Sequence, residues 1–334
     1  AAYMIPQSLE QPDQVPATML DMCPTSDKRS IRAVVRVRPT QVGEEPYIDC
    51  SPRYGKQLRV EGRQYNDLSM VLGPESTQHQ VFQAVGLPMV EAVLRGQNTC
   101  LFAYGQSGAG KTFSMYGAEG GKVPSRLDGV VPAICAEIFR RKQGIERRGD
   151  YKLALSATIV EVRGSTISDL LAEPSDAEGQ PQLKLNNGEI IGAVQETIYS
   201  SRGLTQTIER AMQRRQTGKN LFNSSSSRSH CFLRMQLTKV HIKKGFLRDD
   251  PTTQSSNTGS DSVAITLVDL AGAEQFVTDD TGAKMEGKVI HESLLALSKV
   301  LEVLKSGKGH APFRDSTLTL MLRGALTGDC LTTA

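Results

Sequence analysis

The sequence has 334 residues, of which 39% are hydrophobic and 22% charged, with a formal charge of +3 at neutral pH. That composition excludes a chain disordered throughout and supplies a substantial core, in one large α/β domain or two modest ones. So small a charge excess leaves no footprint of a nucleic-acid or membrane partner, and an acidic partner has to be met by a local patch.

Residues 1–29 hold Pro6, Pro12, Pro16 and Pro24 among polar residues without periodicity, which predicts an extended arm ahead of a globular domain over 30–334. Ile31 to Val37 predicts a buried strand stopped by Pro39, because proline cannot donate to a sheet ladder. Val81, Phe82, Val85, Met89 and Val93 repeat at helical spacing, with a break or kink at Gly86 and Pro88. The apolar run Thr99 to Tyr104 predicts a buried strand that feeds directly into a glycine-rich loop. Pro132 suits a first helical turn ahead of Ile134, Ile138 and Phe139, and Tyr151 to Val162 is strand-like.

Cys231, Leu233, Met235 and Leu237 recur with period two, the signature of a half-buried strand, and Val263 to Val268 forms a second, apolar one. The polar stretch Asp249 to Asp261 predicts a long loop between them. Ile290, Leu294, Leu297, Leu301 and Leu304 are helical in spacing, as are Leu318, Met321, Leu322 and Ala325. Strands alternating with helices predict a layered α/β fold, a central, mostly parallel, twisted sheet with helices on both faces.

The six cysteines are scattered and never form C-x-x-C, which argues against a zinc site or a disulfide framework and for a reducing, cytosolic compartment. No basic segment followed by an apolar one opens the sequence, and no apolar run is long enough to cross a bilayer, so no targeting or membrane segment is expected.

Gly105-Gln106-Ser107-Gly108-Ala109-Gly110-Lys111-Thr112 fits G-x-x-x-x-G-K-[ST] between a predicted strand and a predicted helix. Glycines let backbone N–H groups turn inward around phosphates, Lys111 reaches the β and γ oxygens, and Thr112 ligates Mg²⁺. A glycine-rich turn gives the same string by chance, though much less often in that context. Downstream, Val263 to Asp269 is an apolar strand ending in a carboxylate, the placement of an acid that holds Mg²⁺ through water. Leu270-Ala271-Gly272-Ala273-Glu274 then offers a glycine N–H to a γ-phosphate, or is a strand ending in a tight turn. Asn223 to His230, a serine-rich string, reads by itself as a polar loop just as well.

Together these strings resemble the kinesin motor domain, whose pattern joins R-x-R-P, F-A-Y-G-Q-T-G-S-G-K-T, N-x-x-S-S-R-S-H and D-L-A-G-S-E. Here they are Arg36 to Pro39, Phe102 to Thr112, Asn223 to His230 and Asp269 to Glu274, in the same order from about Ile31 onward. The resemblance implies a P-loop NTPase of the kinesin/myosin type that hydrolyses ATP with Mg²⁺ and moves on microtubules in the cytoplasm. Its alternative is a kinesin-like docking or structural protein with weak motility or none.

The resemblance puts Arg36, Arg38 and Pro39 at the nucleotide, the last two flanking the adenine. It also has Ser226 and Ser227 closing on the γ-phosphate and Mg²⁺, and Arg228 pairing with Glu274 as the site shuts. Mg²⁺ would then lie among Thr112, Ser227 and Asp269. Phe113 stacks on adenine or packs in the core. No N-K-x-D string is present, which favours ATP over GTP.

The departures lie on the filament side. Val289-Ile290-His291-Glu292-Ser293-Leu294 stands where the family has N-I-N-K-S-L, so a basic position becomes Glu292, and helical periodicity turns that residue outward with Lys288 and Lys299. Arg314 to Leu320 replaces R-D-S-K-L-T-R, losing two basic side chains, though Lys299, Lys305 and Lys308 offer compensating charge. Ala273 replaces the second-switch serine. The sequence stops at Ala334, where the family enters its last sheet strand, and the final helix and neck linker are expected to be missing as well.

Overall fold

A computed structural model describes residues 31–40, 48–50, 55–66, 68–118, 129–147, 151–173, 183–186, 188–217, 228–241, 262–273, 281–327 and 330–334. The expected arm over 1–29, the loop 249–261, and Ser226, Ser227 and Glu274 lie outside them.

The chain opens with β1 (Val34–Arg36), a small meander of β2 (Ile48–Asp49), β3 (Leu58–Val60) and β4 (Arg63–Tyr65), and β5 (Met70–Leu72). Helix α1 (Gln78–Val81) runs through a π-helical turn (Phe82–Gly86) into α2 (Leu87–Leu94). Thr77 and Gln80 form a reciprocal capping box at its start, which satisfies two N–H groups of the first turn. The expected break at Gly86 and Pro88 is this π turn. The N–H of Leu87 reaches back to the Phe82 carbonyl, and Pro88 falls in the first turn of α2.

Then come β6 (Asn98–Ala103), α3 (Lys111–Tyr116), α4 (Val130–Arg147), β7 (Tyr151–Arg163) and β8 (Thr166–Asp169). They are followed by the hairpin β9 (Lys184–Asn186) and β10 (Glu189–Ile191), then β11 (Glu196–Ile198) and α5 (Ser201–Thr217). Last are β12 (His230–His241), β13 (Ser262–Asp269), α6 (Thr281–Ser306), a 3₁₀ turn (Phe313–Asp315), α7 (Thr317–Thr327) and β14 (Cys330–Thr333). Among the described residues no helix is long and apolar enough to cross a membrane.

The central sheet runs β11-β7-β12-β13-β6-β14, with β8 also on β7. The expectation of a mostly parallel sheet is corrected: β13, β6 and β14 are mutually parallel, whereas β12, β7, β8 and β11 meet their neighbours antiparallel. The parallel half is the half reached through helical crossovers. Between β12 and β13 the sequence is polar and without helical period, and these strands pair antiparallel over eight residues from Cys231–Asp269 to Thr238–Ser262.

A strand expected beyond the end of the sequence is also present, since Cys330–Thr333 pairs with β6 and Thr333 bridges Arg32 ahead of β1. The N–H of Ala334 donates to the Arg32 carbonyl and the N–H of Val34 to the Ala334 carbonyl, each at 2.8 Å.

Two-residue alternation sends side chains of each strand to opposite cores. Leu101, Leu155, Ile159, Leu233, Met235, Ile265 and Leu267 join α2, α4 and α5 in one core. Phe102, Val160, Val162, Phe232 and Val268 meet Ile290, Leu294 and Leu297 of α6 and Leu318 and Leu322 of α7 in the other. Helices therefore cover both faces. The hairpin is seated against α7 at Gly188 (φ 90°), where a Cβ would stand 2.6 Å from the Leu320 carbonyl oxygen.

Candidate nucleotide site

Strand β6 delivers the chain to Tyr104, and residues 105–110 form the loop that opens α3. Gly105, Gly108 and Gly110 all have positive φ, the last at 96° immediately before Lys111. Side chains there would be strained, so the sequence motif is also a backbone requirement. Lys111 Nζ donates to the carbonyls of Gly105 at 2.8 Å and Gln106 at 2.9 Å. Arg38 Nη1 donates to Gly108 O at 2.6 Å, which brings the end of the β1 segment, with exposed Pro39, to the crest of the loop.

Thr112 and Asp269 meet because β6 and β13 are parallel neighbours with Ala103 opposite Asp269. Thr112 Oγ1 donates to Asp269 Oδ2 at 2.9 Å. Asp269 is 2% exposed, and its Oδ1 has no hydrogen-bond partner among the described residues. Burial pushes its carboxyl above the usual range, while Arg215, the Thr112 hydroxyl and Lys111 pull it back. Beyond it, Leu270 N–H donates to Ala103 O at 3.3 Å and Ala273 N–H to Gly105 O at 3.2 Å, so buried Gly272 lies against the phosphate loop.

Arg36 enters from behind. Its Nη1 donates to Gln78 Oε1 at 2.8 Å and Ser114 Oγ at 2.9 Å, its Nη2 donates to Ser76 O at 3.1 Å, and burial lowers its pKa. The guanidinium also lies 5.3 Å from the ring centroid of Phe113, a cation–π contact. Phe113, at 39% exposed, is thus not a core residue, which removes one of the two readings of it.

Arg228 stands two residues before the start of β12, at the end of the serine-rich string. Ser229, fully buried, donates from Oγ to Glu161 Oε1 at 2.6 Å. Arg215 Nη2 donates to the Ser229 carbonyl at 2.8 Å, its Nε reaches Glu161 Oε1 at 3.4 Å, and its Nη1 lies 3.8 Å from Asp269 Oδ2. One buried guanidinium therefore bridges the strand after the serine string and the acid at the end of β13. The sequence reading missed Arg215, which sits in an arginine-rich helix resembling a solvated face. It also missed Glu161, whose signal was a lone carboxylate inside an apolar strand.

These residues fit a magnesium nucleotide. The glycine-rich loop opens a helix at Lys111, Thr112 offers a hydroxyl, and Asp269 keeps one buried oxygen for a water on the metal. No cluster of three His, Cys, Asp or Glu able to hold a metal occurs among the described residues.

A family profile described as the kinesin motor domain matches residues 44–334. Kinesin-like protein KIN-14S of Arabidopsis thaliana is 35% identical over 323 residues, 91% of this chain and 39% of the relative. Protein claret segregational of Drosophila melanogaster is 32% identical over 319 residues, again 91% of this chain and 42% of the relative. A solved structure of a fast kinesin superposes with a TM-score of 0.75 at 27% identity, covering 91% of this chain and 84% of that one. The chain spans less than half the length of either relative.

Proposed function

The chain belongs to the kinesin motor domain family, and from that premise we propose that it hydrolyses ATP with Mg²⁺ and couples the nucleotide state to a microtubule-binding face. The observation that carries this reading is the 2.9 Å contact of Thr112 with Asp269, which joins the phosphate loop to the second switch at the point where a metal would be held.

Backbone N–H groups of Gln106, Ser107, Gly108, Ala109 and Gly110 receive the phosphates. Lys111 exchanges the Gly105 and Gln106 carbonyls for β and γ oxygens, which carry more charge. Thr112 would offer its hydroxyl to the metal, and Asp269 would hold metal-bound water by accepting hydrogen bonds from it. Mg²⁺, when bound, would neutralise charge on the phosphates.

Gly272 offers its N–H to the γ-phosphate. Ser226 and Ser227 would close on the γ-phosphate, and Ser227 would offer a second hydroxyl to the metal. Arg228 meets Glu274 and shuts the site, ordering the water whose oxygen bonds to the γ-phosphorus as the bridging oxygen leaves with ADP. Arg38, Pro39 and the exposed face of Phe113 border the adenine, with Arg36 holding Phe113 and α3 in place.

The filament face is α6 with the 3₁₀ turn and α7. A second reading, a kinesin-like docking protein with little or no motility, is favoured by one observation there: Glu292 is exposed beside Lys288 at 3.9 Å, which puts a carboxylate on the face that would meet acidic tubulin. Steady-state ATPase with and without microtubules separates the two. Strong stimulation supports the motor, and microtubule binding that ignores nucleotide with no stimulation supports docking. Under either reading the site of action is the microtubule cytoskeleton of the cytoplasm.

A further inference from the structure

His230, the first residue of β12, is 1% exposed and both of its ring nitrogens are used. Nδ1 accepts from the N–H of Ala271 at 3.1 Å, and Nε2 stands 2.9 Å from Ser293 Oγ on α6. Ser293 in turn donates its hydroxyl proton to the Ile290 carbonyl at 2.6 Å.

These contacts fix the tautomer. An amide N–H aimed at Nδ1 requires a lone pair there, so the single proton of the neutral ring is on Nε2 and goes to Ser293 Oγ. The ring is neutral because burial, with the positive charge of Arg215, pushes its pKa down to about 4.

Three elements meet at this imidazole: the strand two residues past Arg228, the backbone one residue before Gly272, and the turn of α6 that carries Glu292. Gly272 is therefore held between two anchored neighbours, Ala271 on His230 and Ala273 on the Gly105 carbonyl.

We propose that His230 is a positioning residue that fixes the backbone ahead of Gly272 and ties it to α6 through Ser293, so that movement of Gly272 toward a bound γ-phosphate is passed to the filament-side helix. This rests on the reading of Gly272 as the phosphate-sensing residue. When Gly272 turns toward phosphate, the Ala273 contact with Gly105 is the one that yields. The His230 contact stays and carries the displacement to the turn from Ile290 to Leu294. Glycine at 272 makes the pivot, and the imidazole, satisfied on both sides, makes the link.

The test is hydrogen–deuterium exchange across Ile290 to Leu297, with and without a non-hydrolysable ATP analogue, in the wild type and in Ser293→Ala, Ser293→Thr and His230→Asn. In the wild type the analogue is expected to change exchange in this segment. In Ser293→Ala and His230→Asn that response should fall by roughly five-fold or more, with analogue affinity unchanged in Ser293→Ala. Ser293→Thr, which keeps the hydroxyl, should retain the response.

An undiminished response in Ser293→Ala overturns the proposal, as does a wild type whose α6 ignores the analogue. Should His230→Asn fail to fold, Ser293→Ala decides, because it removes a single oxygen. Microtubule-stimulated ATPase of the wild type is measured alongside. Its absence, with the α6 response intact and lost in Ser293→Ala, rejects the motor reading while supporting the link.

Discussion

Thr112 Oγ1 and Asp269 Oδ2 are 2.9 Å apart although 157 positions separate them in sequence. Parallel pairing of β6 with β13 produces the meeting, and the function proposed here depends on it. Asp269→Asn keeps the shape but removes the charge that would orient metal-bound water. Apparent Mg²⁺ affinity should fall on the order of 10- to 100-fold, read by titrating Mg²⁺ in an ATPase assay. An unchanged Mg²⁺ midpoint would show that the acid does not serve the metal.

Lys111 donates to two loop carbonyls, contacts that phosphate oxygens can displace. Lys111→Ala should abolish measurable binding of a fluorescent ATP analogue while leaving the thermal midpoint close to wild type.

The buried Arg215 touches Glu161, Ser229 and Asp269 at once. Arg215→Ala removes the cation shared by two buried carboxylates, leaving Glu161 the more exposed Arg163 at 3.4 Å, a change worth about 3–5 kcal/mol. Urea unfolding should show a loss of that order, together with weakened ATPase. A loss within the range of ordinary surface substitutions would contradict the central place given to this side chain.

The pH dependence has a definite sign. His230 has its pKa lowered from 6.5 to about 4 in the folded state. Above pH 6.5 the ring is neutral whether the chain is folded or unfolded, and it contributes nothing to the slope. As pH falls from 6.5 to 4 the unfolded chain takes up a proton that the folded chain refuses, so stability declines by about 3 kcal/mol. The difference in unfolding free energy between wild type and His230→Gln should therefore shrink as pH falls through that window, measured by denaturant titration at each pH.

Glu292 and Lys288 are both exposed on α6. Glu292→Lys restores the family's charge and should tighten microtubule co-sedimentation at low salt by on the order of ten-fold, with the gain fading as ionic strength rises. No gain at any salt concentration would place the filament face elsewhere.

The phosphate loop, Asp269 and the apolar faces of α6 and α7 were legible in the sequence because each rests on short-range spacing. Sheet direction was not: the order of strands and helices along the chain does not reveal that β7, β8, β11 and β12 pair antiparallel. Arg215 and Glu161 escaped for a related reason. Their meaning lies in partners 54 positions apart, and no local pattern separates a buried arginine from its exposed neighbour Arg210 or the half-buried Arg214. The link through His230 was hidden inside a recognised string, since its partners Ala271 and Ser293 come from other elements.

The strand that leads into the phosphate loop has its neighbours far downstream. β6 pairs with β13 and β14, and Asn98 Oδ1 accepts from the N–H of Ala264 across 166 positions. During synthesis β6 therefore emerges long before either partner, and the loop it carries has no sheet neighbour until residues through Asp269 have left the ribosome. Nucleotide binding should therefore lag well behind synthesis of the loop itself, and folding should be slow for a domain of this size.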